Sequence, residues 1–526
     1  MTITAGTEQH SGAGVPETTG THHAPPALEG EIPRPPARGG LRTGRPRRRA
    51  PIPVARLVRY LVDRYGESLP GRLRLGRASC LLLAAGLLLL LGVASLGMSG
   101  AWDETVQRSA PRTVAATQLN LALNDMDAQA ANILLSSGES GMGKGRLDES
   151  YAKATGFYTA AQETISRSLR TLSAAAEGDK ATENTVITIT DDFAHYQELI
   201  GRALENDEHP GGKDAARADY RTATDLLSAR LLPESRELVD ANNRVYNRMY
   251  DGTRGDLAVQ RVAEAVLGVL LIAALVLFQV RLARRFQRVF NPALAAATLC
   301  AVVAVLSGAQ LLSLNDDRMK VARRDSFDSV VALSRAKAIG YDANADESRY
   351  LLDPSRRAGY EESFHDKSQQ LYGIEGASLP TYDAKLAETW AAYRSDRHDK
   401  RFSGEFRREL DNITFAGERD AAEKAVEAYA VYEHDDRTLR KLVGEGKQAE
   451  AIVFCVGWAS DTSNAHFGAW MKALDQVIAI NRSHFDRATA EGRDSLVTLA
   501  PAAGVALLLA AGLIVFGLRP RLAEFR

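Results

Sequence analysis

"ASCLLLAAGLLLLLGVASLGMSGA", Ala78 to Ala101, runs for 24 residues without a charged side chain. A helix needs roughly 20 apolar residues to cross the hydrocarbon of a bilayer, so this stretch reads as a membrane span. Three more follow: Val259 to Val280 ("VQRVAEAVLGVLLIAALVLFQV"), Pro292 to Leu314 and Ser495 to Leu518. In lipid the backbone must bond within its own segment, which leaves helices for apolar runs of this length. Four such runs make the chain an all-α polytopic membrane protein.

The arginines set the expected orientation. Eleven lie between Leu41 and Arg77, four (Arg281, Arg284, Arg285, Arg288) fill the second-to-third connection, and Arg519, Arg521 and Arg526 follow the last span. Basic residues accumulate on the cytoplasmic side. Both termini are therefore expected inside, in a multi-pass protein of the cell membrane whose first span is an uncleaved anchor. The expected domains are a disordered arm (1–53), an amphipathic basic helix and linker (54–77), span 1 (78–101), an outer body (102–258), span 2 (259–280), a cytoplasmic loop (281–291), span 3 (292–314), a second outer body (315–494), span 4 (495–518) and a tail (519–526). Residues 54–69 place Val54, Leu57, Val58, Leu61, Val62 and Tyr65 on one face, with Arg56, Arg59 and Arg64 elsewhere, which suits anionic lipid at the inner leaflet before Pro70-Gly71 breaks the helix. "RPRRR", Arg45 to Arg49, beside a first span is explained by topology and lipid, with no nucleic-acid role. Cys80 and Cys300 fall in spans, leaving only Cys455 outside, so the outer bodies must be held by packing.

Each outer segment reads as helices broken by Gly- or Pro-containing turns with little β alternation, most simply an antiparallel four-helix bundle. In the first, breaks near "SSGESGMGKG", "AEGDK" and "DEHPGGK" leave four helices; in the second, breaks near "LDPS", "GIEGASLP", "NITFAGE" and "GEGKQ" leave four or five. The two resemble each other. A shift of 217 residues lays "DMDAQAANILLSS", from Asp125, on "DANADESRYLLDP", from Asp342, and sets Asp127 over Asn344 and Leu134 over Leu351. A shift of 239 sets Asn242 over Asn481 and Tyr246 over Phe485. The repeat unit is span, bundle, span.

"YDANADESRYLLDP" also tests a calcium reading, with Asp342, Asn344, Asp346 and Asp353 as oxygen ligands. The required glycine is Glu347, the twelfth position is aspartate, and the twin stretch is an uninterrupted helical pattern, so no metal is expected. Asp342, Asp346 and Arg349 share a helix face and read as a solvated charge network. Asp127 and Asn344 each precede a stripe leucine by seven residues and so need a buried partner. "GESGMGKG" at Gly138–Gly145 lacks the final hydroxyl of a phosphate loop and reads as a turn. No metal-ligand or nucleophile spacing is present, so neither an enzyme nor a cofactor is expected. Glu264, with Arg261 one turn before it, is the one acid inside a span. Candidate binding or signalling residues are Asp125, Asp127, Asp342, Asn344, Asp346 and Glu264.

Outer helical bundles held between spans resemble the sensor modules of bacterial chemoreceptors and sensor kinases. With four spans and first-helix motifs "LNDMDAQAANILLSSG" and "DANADESRYLL", the chain more closely resembles the actinobacterial GlnX-type membrane protein. That resemblance implies a non-enzymatic transducer relaying amino-acid availability from an extracytoplasmic solute-binding protein to a cytoplasmic Ser/Thr kinase, protein kinase G. With only an arm, a short loop and a tail inside, any cytoplasmic output is borrowed from a partner; a homo-oligomer is compatible with this. The alternative from another class is a structural or assembly scaffold of the cell envelope.

Overall fold

The computed structural model describes residues 69–137, 147–286 and 291–523. The expectations for the 1–53 arm, the amphipathic face from Val54 to Tyr65, the Gly138–Gly145 turn, most of the 281–291 loop's basic end and the last three residues lie outside the described residues. Within them the fold is helical, with one isolated antiparallel bridge between Gly373 and Ser403.

The first span helix, α1, runs from Leu69 to Glu104. Pro70 sits in its first turn, where a missing N–H breaks no helical bond. Pro70-Gly71 therefore opens the span helix, and the end of the expected 54–77 linker belongs to α1. A π-helical turn, Thr105–Ser109, joins α1 to α2 (Ala110–Ser136). Then come α3 (Asp148–Ala176), α4 (Lys180–Glu208) and α5 (Lys213–Leu226), and a second π turn, Leu227–Leu231, leads into α6 (Leu232–Phe286), which carries the second span. The second half opens with α7 (Pro292–Lys320), a π turn at Val321–Phe327, then α8 (Asp328–Leu352). Under the 217-residue shift the first π turn falls inside the third, so the two halves share their irregularity as well as their apolar pattern.

The second body departs from the expected four or five helices. Short helices α9 (Arg357–Leu371), α10 (Tyr382–Ser395), α11 (Glu405–Asn412) and α13 (Gln448–Val456) surround the long α8, α12 (Glu418–Gly444) and α14 (Ser463–Ala523), the last of which becomes the fourth span. Two breaks not read from sequence, residues 396–404 and 457–462, create the extra pieces. At the first, Gly404 has φ of 89° and a side chain there would meet the carbonyl oxygen of Leu371 at 2.7 Å, so only glycine closes this corner.

The four spans form a ring in chain order: α1 packs on α6 and α14, and α7 on the same two. Leu87, Leu91, Leu271, Leu275, Ala301, Ala304, Leu507 and Ile514 fill the interior, while Leu82, Leu89, Leu306 and Phe516 point outward. Trp102 closes one end, fully buried because a side chain at Gly492 would overlap its indole. Its Nε1 donates to Asn315 Oδ1 at 2.8 Å, and Asn315 Nδ2 donates to Ser495 Oγ at 2.9 Å, which ties α1, α7 and α14 together.

Above this end the two bodies stand side by side. The first has an aliphatic core from Leu119, Leu123, Ile165, Ile189, Ile200 and Leu227. The second is aromatic: Phe364, Tyr382, Tyr393, Phe406, Tyr429, Tyr432, Phe467 and Trp470. The α1 and α7 spans scarcely meet in the ring, yet their continuations α2 and α8 pack along their lengths. The π turns lie between the two regimes, where an added residue per turn can re-aim a helix.

Candidate functional site

The contact between α2 and α8 is where the two halves of the chain exchange side chains. Both helices are buried on nearly every face around it, because each is wrapped by its own bundle and by the other. Polar residues there cannot be left to water, and each must find a partner.

Asp127, fully buried on α2, collects five donors. Tyr196 from α4 donates at 2.8 Å, Tyr220 and Thr224 from α5 at 3.1 and 3.4 Å, and Arg349 from α8 through Nη2 at 2.5 Å and Nε at 3.2 Å. One carboxylate thus joins four helices and both bodies. Arg349 also reaches Asp346 at 2.5 Å and Asp342 at 3.3 Å, and Lys367 of α9 holds the same two acids at 2.5 and 2.8 Å. Arg236 of α6 stands 3.7 Å from Asp342. Burial opposes ionisation of Asp342, but Lys367 and Arg349 outweigh it and hold its carboxyl below the usual range. Arg349 is likewise kept charged: burial works against it, and Asp127 and Asp346 overcome that.

The helical spacing reads Asp342, Asp346 and Arg349 as a solvated network; the structure corrects this, since all three are buried and Arg349 crosses to the other half of the chain. Their helical phase is legible in the sequence, but a partner 222 residues away is not. Lys367, Tyr196 and Tyr220 carry no sequence signal beyond their type. The acids of the calcium reading are held by cations: Asp342 and Asp346 as above, and Asp353 by Arg221 at 2.7 Å while it accepts from Ser355.

Asn344, at the place equivalent to Asp127, faces the other way into its own body. Its Nδ2 lies 3.3 Å from Asn464 Oδ1 and 3.4 Å from Glu347 Oε2, and its Oδ1 has no partner among the described residues. Glu347 also accepts from Tyr432 at 2.9 Å and Ser463 at 3.3 Å. Burial, reinforced by Asp436, pushes its carboxyl well up, and burial and Asp436 raise neighbouring Glu433 to about 7. Asp125 accepts from Gln129 at 2.9 Å, and burial raises it to about 6. Glu264 lies apart from all of these, in the span ring. Arg261 has turned to Asp316 on α7 at 3.2 Å, and the Glu264 carboxyl is buried against Gly308, with Oε1 unpartnered among the described residues.

The neck between the bodies and the spans is also shared. Tyr246 and Phe485, equivalent under the 239-residue shift, both pack on Phe327, with ring centroids 5.1 and 5.6 Å away. Arg323, fully buried in the π turn, lies over Tyr246 at 4.6 Å and donates to Asn243 and Asn247 of α6, at 2.6 Å each. The two halves of the chain are therefore held together at three levels: in the spans, at the neck and at Asp127, where α2 meets α8.

Residues 101–251, from the end of α1 to the middle of α6, match a family described as actinobacterial sensor domain. This supports a sensor protein with a signal-sensing role. No curated protein and no solved structure matches the chain.

Proposed function

We propose that the protein is a non-enzymatic transmembrane signal transducer. Its two bodies face the extracytoplasmic side and receive a nutrient signal, an amino-acid cue on the GlnX-type resemblance, delivered by a solute-binding protein. The output is taken by a cytoplasmic Ser/Thr kinase.

The single observation that carries this reading is the Asp127–Arg349 bond. It joins two helices that each continue into a span, so a cue that shifts one body against the other must move or break it, and the displacement passes down α1 and α7. Coupling energies of about 1–3 kcal/mol suffice to bias signalling states, and charge-assisted bonds are of that size. A pure spacer has no need of a buried ion network at this contact, because apolar residues of equal volume hold a contact as well or better. The test is Ser/Thr phosphorylation of the kinase's substrates in cells carrying wild type, Asp127→Asn or Arg349→Met at matched membrane abundance. Both variants are expected to shift basal phosphorylation and weaken its response to amino acids. Unchanged output and response in both would refute the transducer role.

A further inference from the structure

Between the two bodies, directly above the neck, lies a crevice of about 580 Å³. Its volume falls within the few hundred to a thousand Å³ typical of small-molecule sites, and it lies at a domain interface, where such sites concentrate. The floor is apolar: Val114 and Leu121 of α2 face Val330 of α8 and Ile478 of α14, all half-buried. The rim is charged. Lys337 and Asp475 are paired with each other at 2.5 Å, but Arg167, from α3 of the first body, and Arg482, from α14 of the second, have no ion-pair partner among the described residues; the exposed Asp486, one turn beyond Arg482, is the one unpaired acid on the rim.

An apolar floor under two uncommitted guanidinium groups, one from each body, defines complementary chemistry. We infer that this crevice binds a small amphiphilic carboxylate, its apolar part between α2, α8 and α14 and its anionic group between Arg167 and Arg482. Guanidinium presents paired donors that match a carboxylate. The crevice also touches Val106 and Phe327, one in each of the two π turns that join α1 to α2 and α7 to α8. An occupant therefore contacts three of the four helices that become spans. Its signalling role rests on the transducer reading; its binding does not.

The probe is naphthoate, added to the full chain in nanodiscs, with empty nanodiscs as the partition control and naphthylmethylammonium as the probe of opposite charge. Saturable binding of naphthoate is expected, weakened by salt, with much weaker uptake of the ammonium. Arg482→Gln and Arg167→Gln, at exposed positions, should each weaken naphthoate about tenfold or more without changing thermal unfolding. Val114→Trp, which fills the floor, should abolish saturable binding. Uptake equal to that of empty nanodiscs, equal binding of the two probes, or affinity unchanged in both arginine variants overturns the proposal. Distances between spin labels on the spans, measured with and without naphthoate, separate the two readings: binding without any distance change keeps the site and removes its signalling role.

Discussion

Replacing Arg349 by methionine removes the cation on which Asp127, Asp342 and Asp346 converge and leaves Lys367 facing all but one of them. Methionine keeps most of the volume, so packing loss is small and the cost is electrostatic. Stranding one partner of a buried ion pair costs about 3–5 kcal/mol. Asp127→Asn is gentler, because the amide oxygen still accepts from one of the two tyrosines, whose hydroxyls sit on different oxygens of Asp127, and Arg349 keeps two acids; one lost charge-assisted bond is worth about 1.5–3 kcal/mol. Hydrogen exchange of the full chain in nanodiscs reads these as local opening energies in α2 and α8. Exchange should accelerate by roughly two to nearly four orders of magnitude in Arg349→Met and by one to two in Asp127→Asn. The double variant should fall short of their product, since Asp127→Asn removes the very carboxylate that Arg349→Met strands. Additive effects, or an Arg349→Met acceleration below about threefold, would refute the network as the link between the bodies.

Other consequences follow from the same structure. Glu433 and Glu409 are both raised to about 7, Glu433 by burial and Asp436, Glu409 by burial and Glu418; the folded state then holds protons that the unfolded chain releases between about pH 4.5 and 7, so stability falls as pH rises through that window. The melting temperature should drop between pH 5 and 7.5, and Glu433→Gln should flatten that slope; a rising profile would contradict the burial of these acids. Gly492→Ala must displace Trp102, which should red-shift and quench tryptophan emission and lower thermal stability, whereas Gly512→Ala, with open space around it, should do neither. Gly340→Ala puts a methyl 2.7 Å from Trp470 Cη2 and should destabilise the second body by about 1–3 kcal/mol, visible as faster hydrogen exchange in α12 and α14 but not in α4.

The spans were legible because length and apolarity alone decide them, and Asp127 announced itself by lying seven residues before Leu134 on an apolar stripe. What surrounds Asp127 was hidden. Tyr196, Tyr220 and Arg349 are ordinary residues whose meeting depends on the packing of four helices, and no local pattern encodes it. The break at residues 396–404 was missed because "SDRHDKRFSG" has no proline and a single glycine; tertiary packing of Phe402 and Phe406 against Tyr393 and Tyr429 sets that corner. The π turns have no composition of their own, yet the first and the third coincide under the 217-residue shift, while the second, Leu227–Leu231, has none opposite it in α14. Asn344 shows the limit of equivalence: it occupies the place of Asp127 but turns into its own body, where Glu347 and Asn464 receive it.

The transducer reading stands or falls on whether the Asp127–Arg349 contact is felt at the far end of the spans. Leu82 on α1 and Phe516 on α14 both face outward there, and with the free cysteines Cys80, Cys300 and Cys455 replaced they can carry spin labels. Pulsed electron paramagnetic resonance in nanodiscs, comparing the wild-type chain with Arg349→Met, should show the distance between the labels shifted by about 1–2 Å or more, the scale of helix displacements in signalling transitions. Superimposable distance distributions, in a variant whose hydrogen exchange proves the contact broken, would contradict it.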